Sequence, residues 1–101
     1  MYKLVMKMGK PIEVKSLPYN VKVYINNQVL IPAMLVKALG IETADYAYIR
    51  LRYEGEEAEV RVKLLKPKNA FSRQFTIPKY VREKLNIEPE SEIEILSIEP
   101  V

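Results

Sequence analysis

Residues 61–84 carry Arg61, Lys63, Lys66, Lys68, Arg73, Lys79, Arg82 and Lys84 against Glu83 alone, a balance of +7. Cations at this density can neutralise phosphates and release their counterions, the sequence-independent part of nucleic-acid affinity. Arg73 and Gln74 add planar donor groups of the kind that read base edges in a major groove. The flanks have the opposite character. Residues 51–60 hold Arg52 against four Glu, and residues 85–101 hold five Glu and no cation. A total of 16 Lys and Arg against 13 acidic residues, net +3, conceals this segregation. It is one footprint of a polyanion-binding face. The plainer alternative is a solvated surface whose opposite charges pair across space.

Other chemistries are thinly provided for. The 101 residues contain no Cys and no His, so thiol chemistry, disulfides and the commonest metal ligand and general base are absent. Twelve Glu accompany a single Asp, Asp45, which cannot build an EF-hand or an Asp-rich magnesium site. The three Gly do not cluster into a phosphate cradle. The expectation is a protein that is not an enzyme and uses no metal or cofactor. Met1–Met8 holds too short an apolar run for a signal peptide or a membrane span, which points to a cytoplasmic protein away from membranes. Abundant Lys and Glu without Cys is a compositional hint of a thermophile.

These side chains must be positioned by a frame, and the frame repeats. Sliding the chain by 46 residues lays Gln28-Val-Leu-Ile-Pro32 on Gln74-Phe-Thr-Ile-Pro78. Leu39 then meets Leu85, Ile41 meets Ile87, Glu42 meets Glu88 and Ile49 meets Ile95. Gly40 meets Asn86, two residue types that tolerate the left-handed backbone ending a helix. Glu13-Val14-Lys15 falls on Glu59-Val60-Arg61, and Gly9 on Gly55. The chain thus reads as one domain of two repeats, about 12–54 and 58–98, with an N-terminal strand over 2–8.

Each repeat predicts a strand running into Ile-Pro, a short helix, a turn and an alternating strand. The strands are Val21–Ile25 with Gln28–Ile31, and Phe71–Ile77. The helices are Ala33–Leu39 and Lys79–Leu85, each entered through a Pro whose φ suits the first turn. The alternating strands are Tyr46–Tyr53 and Glu92–Ile98. Gly55 turns the former into Ala58–Leu65, and Gly9 joins Tyr2–Met8 to Ile12–Lys15. Strands this short close into a small barrel, which removes exposed edges. Ile12–Lys15 is the candidate for the place beside the last strand, giving internal pseudo-twofold symmetry.

The stretch from Arg73 to Ile95 resembles the core motif of the AbrB/MazE/SpoVT family: a polar Gln or Arg, an Ile-Pro, a basic amphipathic helix, a turn and an alternating strand. Gln28–Leu51 is a more divergent copy. The resemblance implies a mainly β, swapped-hairpin or related cradle-loop barrel with two short helices. It also implies binding to double-stranded DNA, as in a transcriptional regulator. In the family two chains usually intertwine; here one chain supplies both halves, so a monomer suffices and dimerisation stays open.

Carried over position by position, the resemblance assigns DNA contact to Lys66, Lys68, Arg73, Gln74, Lys79 and Arg82 in the second copy. In the first it assigns Lys22, Gln28 and Lys37. Val36 stands where Arg82 does, so a symmetric grip is not expected. Gln28 and Gln74 closing turns, and Arg82 pairing locally, are the structural alternatives. Arg50, Arg52, Arg61 and Lys63 read as solubilising charge on one hairpin. Tyr46, Tyr48 and Tyr53 could stack on single-stranded bases, but such residues more often fill a barrel wall. A protein-interaction or adaptor module without nucleic acid is the other functional reading.

Overall fold

The computed structural model describes residues 16–101. The elements run β1 (Tyr19–Lys22), β2 (Gln28–Ile31), α1 (Ala33–Leu39), β3 (Tyr46–Tyr53), β4 (Glu56–Lys63), β5 (Arg73–Thr76), α2 (Lys79–Leu85) and β6 (Glu92–Pro100). The protein is mainly β with two short helices. Both helices occupy the expected residues; the strand before α2 is shorter than expected.

The helices are framed by identical devices. Pro32 and Pro78 enter them with φ/ψ of −62°/151° and −62°/152°. In each helix the Pro carbonyl accepts the first helical amides, from Leu35 and Val36 in α1 and from Val81 and Arg82 in α2. Each ends on a left-handed residue, Gly40 at φ 66° and Asn86 at φ 63°. That conformation satisfies the last carbonyls: Ile41 donates to Val36 and Ile87 donates to Arg82.

Antiparallel strands form a four-stranded sheet in the order β1-β6-β3-β4, and β2 pairs with β5 in a second sheet. Glu54 (φ 51°) and Gly55 (φ 83°) join β3 to β4 as a two-residue hairpin, whose favoured geometry needs positive φ at both positions. In the small sheet Val29 lies opposite Phe75, its own counterpart at the 46-residue offset. Gln28 faces Thr76 while Leu30 faces Gln74, the reciprocal arrangement that a twofold relation through Val29 and Phe75 requires. The β3–β6 register shifts between Arg50 and Leu51.

Among the described residues the strands form two sheets, not one continuous closed ladder. Two equivalent bonds join them: Tyr24 N–H donates to Gln28 O at 2.9 Å, and Leu65 N–H donates to Gln74 O at 2.7 Å. The hydroxyl of Tyr19 adds a third tie, donating to Leu30 O at 2.7 Å. Between the sheets lies a core that includes Val23, Val29, Ile31, Leu35, Ile49, Leu51, Phe75, Ile77, Ile93 and Ile95, each 1 % exposed or less.

The place beside β6 differs from expectation. Ile12–Lys15 and Tyr2–Met8 lie outside the described residues, and β1 pairs there with Tyr19 opposite Ile95. In the other half Val60 pairs with Ile49, so Tyr19 is the counterpart of Val60 at an offset of 41. The next bonds agree: Val23 donates to Ser91 and Leu64 donates to Asp45, both at 2.8 Å. Burial governs this alignment, since Tyr19 and Val23 are inward like Val60 and Leu64. The match of Glu13-Val14-Lys15 to Glu59-Val60-Arg61 does not set it.

Candidate nucleic-acid interface

The fold distributes the expected contact residues over three places. The first is a groove of about 580 Å³ lined by Lys22, Tyr24, Ile25, Gln28, Gln74 and Glu90, among others. Gln28 and Gln74, equivalent in sequence, meet here because β2 and β5 are partners. The groove holds one ammonium against one carboxylate, so its charge is balanced. It offers three carboxamides, from Asn26, Gln28 and Gln74, and an apolar rim: Ile25 is 80 % exposed at the turn tip.

The second place is the ground beneath the loops. Arg73 is buried, 6 % exposed. Its Nη1 donates to Phe71 O and Ser72 O, and its Nη2 donates to Glu42 O, all at 2.9 Å. The guanidinium is therefore spent on three carbonyls and clips the turn after α1 to the entry of β5. As placed, it cannot meet a phosphate, which corrects the expectation for Arg73. The sequence held the signal: Arg73 is in phase with the buried Phe75 and Ile77 on one strand. Lys66 and Lys37 are also engaged. Lys66 Nζ donates to Asp45 Oδ1 at 2.8 Å, and Lys37 Nζ sits 4.5 Å from the Phe71 ring centroid. The Lys66 ammonium holds the Asp45 carboxyl below the usual carboxylate range, by hydrogen bond first and by charge second.

The third place is basic. A cleft of about 300 Å³ is lined by Arg61, Val62, Lys63, Leu65, Thr76 and Pro78, with no carboxylate among them. One wall is β4 and the other is the entry to α2, whose residue after Pro78 is Lys79. Along α2 follow Arg82 and Lys84. Arg82 is half-buried, its Nε donating to Ile77 O at 3.0 Å. Lys79 lies 3.9 Å from Glu83, an exposed pair that leaves the ammonium in water. Lys68 is exposed in the turn before β5. The cleft sets Arg61 and Lys63, which in sequence read as solubilising charge, against Pro78 at the entry to α2. Arg50 and Arg52 do fit that description: Arg50 lies 4.0 Å from Glu59, and Arg52 lies 3.5 Å from Glu57 and 2.7 Å from Glu94. Glu94 in particular holds the Arg52 guanidinium more firmly protonated than usual.

Among the described residues no group of His, Cys, Asp or Glu could hold a metal ion, and no helix is long and apolar enough to cross a membrane.

No family model matches the chain, and no curated protein matches it. A solved structure is similar: the solution structure of PHS018 from Pyrococcus horikoshii. The two share 26 % sequence identity over 89 % of this chain and 98 % of that one, with a TM-score of 0.63. The likeness therefore spans nearly the whole domain.

Proposed function

We propose that this chain is a DNA-binding protein, an AbrB-like transcriptional regulator that grips duplex DNA through the basic surface formed by β4, the 64–70 turn and α2. The observation that carries this is the contrast between equivalent helices. Lys79, Arg82 and Lys84 of α2 stand where α1 has Ala33, Val36 and Ala38, yet both helices have the same length and caps. α1 forms without those cations, so the helix frame does not require them, and a polyanion gives them a use. The contact set becomes Arg61, Lys63, Lys68, Lys79, Arg82 and Lys84. Gln28, Gln74 and Lys22 belong to the other groove. The same reading takes the two sheets as parts of a small closed barrel of duplicated, pseudo-twofold origin, supported by the paired bonds from Tyr24 and Leu65.

The test is titration of labelled random-sequence duplex DNA across a salt series. Binding should weaken linearly in log salt, with a slope of several units for several phosphate contacts. No binding at low salt would end the proposal. A second reading, a protein-interaction module, is favoured by one feature: the apolar rim of the first groove, with Ile25 and Tyr24 exposed. A stoichiometric protein partner lost on Ile25→Asp, together with no DNA binding, would establish it.

A further inference from the structure

Two of the three tyrosines of β3, Tyr46 and Tyr48, do not fill an interior wall. Burial alternates along the strand so that Ala47, Ile49 and Leu51 point inward and Tyr46 and Tyr48 outward. Tyr46 is 37 % exposed and Tyr48 is 44 % exposed, whereas Tyr53 is half-buried against the core. Across the ladder Lys63 lies opposite Tyr46 and Arg61 opposite Tyr48. The Arg61 guanidinium carbon sits 4.3 Å from the Tyr46 ring centroid. Among the described residues neither Arg61 nor Lys63 forms an ion pair within 4.0 Å, unlike Arg50 and Arg52, which are paired at the other end of the same face, although Lys63 lies near enough to Asp45 for its charge to be felt there. One end of the face is thus neutralised by ion pairs, and the other joins the exposed Tyr46 and Tyr48 rings to Arg61, which lies over Tyr46, and to Lys63.

We infer that this end of the β3–β4 face binds single-stranded nucleic acid, with bases stacked on Tyr46 and Tyr48 and phosphates along Arg61 and Lys63, the two cations it shares with the proposed duplex surface. Aromatic rings stack on any base, and adjacent cations track the backbone. Spacing selects the single strand. Residues two apart on a strand are separated by about 6.8 Å, twice the roughly 3.4 Å between bases along one strand of duplex DNA. Two rings so placed fit bases drawn apart in an extended strand. Charge sets the direction of approach: on the β6 side Tyr48 faces Glu99, so phosphates lie on the β4 side.

The test is fluorescence anisotropy with a short labelled oligo(dT) strand at low salt. The intact chain should bind it, and Tyr46→Ala and Tyr48→Ala should each weaken binding by roughly tenfold, in line with loss of one stacked base. Tyr48→Phe, which keeps the ring, should bind like the parent. Glu99→Gln should bind more tightly. Thermal unfolding of each variant separates lost stacking from lost fold. The Lys79→Ala/Lys84→Ala variant distinguishes this site from the duplex surface, since it should lose duplex affinity and keep oligo(dT). No oligo(dT) binding, equal binding of an abasic strand, or unchanged affinity in folded Tyr48→Ala would each overturn the inference.

Discussion

The helices α1 and α2 are a controlled comparison within one chain. They begin on Pro at the same backbone angles, run seven residues each and stop on a left-handed residue. Both bury an apolar side, Leu35 and Val36 in one and Val81 and Leu85 in the other. Their other residues diverge: α2 carries Lys79, Arg82 and Lys84 at the positions where α1 has Ala33, Val36 and Ala38. Shape here comes from caps, register and the buried side; charge is added on top. Lys79 and Lys84 can therefore be changed on α2 with little effect on the frame, whereas Arg82 also donates to Ile77 O.

The greatest asymmetry in stability should lie at Arg73 and its counterpart Asn27. Arg73→Ala leaves the carbonyls of Glu42, Phe71 and Ser72 without their donors and opens space where the guanidinium lay. Chemical denaturation should show a loss of about 3 kcal/mol or more. Asn27 is already left-handed, at φ 65°, so Asn27→Gly should change stability by well under that. Equal losses would show that the two halves are tied together in the same way.

A smaller effect belongs to Tyr19, whose counterpart Val60 has no hydroxyl. Tyr19→Phe removes the donor to Leu30 O and should cost about 1 kcal/mol. Burial pushes the Tyr19 hydroxyl well above its ordinary ionisation range. Its folded value exceeds the unfolded value of about 10. The stability it lends is therefore complete below that pH and lost as pH rises beyond it. Unfolding followed from pH 8 to 11 should show an alkaline decline that is reduced in Tyr19→Phe.

The caps should respond in opposite senses. Gly40→Ala meets no atom within 4 Å, so its cost is backbone strain alone, about 1 kcal/mol. Asn86→Gly should be neutral or slightly stabilising at the equivalent position. The smallest effect is expected at the exposed Lys66–Asp45 pair. Lys66→Ala should leave the thermal midpoint at neutral pH unchanged within error.

Much of this frame was legible in the residues. The Ile-Pro entries and the Gly40 and Asn86 stops are local signals with one physical meaning, and both helices fall where those signals put them. Tyr46–Tyr53 and the start of β6 follow from alternation. Partnership was harder, because it depends on contacts distant in sequence. The match of Val14 to Val60 at the 46-residue offset pointed to Ile12–Lys15 as the neighbour of the last strand, where Tyr19 is found instead. The candidate site suffered similarly. That Lys66 meets Asp45, 21 residues away, or that Arg61 and Lys63 share a cleft with Pro78, is a product of folding and not of spacing. Arg73 is the instructive error, because its phase with Phe75 and Ile77 already placed it inside.

The most direct measurement gives α2 the α1 residues at its three cationic positions: Lys79→Ala, Arg82→Val and Lys84→Ala together, titrated with duplex DNA from low to moderate salt beside the parent. The expected result is a folded chain, about 1 kcal/mol less stable for the lost Arg82–Ile77 O bond, that binds far more weakly. Its log affinity against log salt should be shallower by about 2.7, or 0.9 for each lost phosphate contact. A folded variant that keeps the parent's affinity and slope would contradict the account.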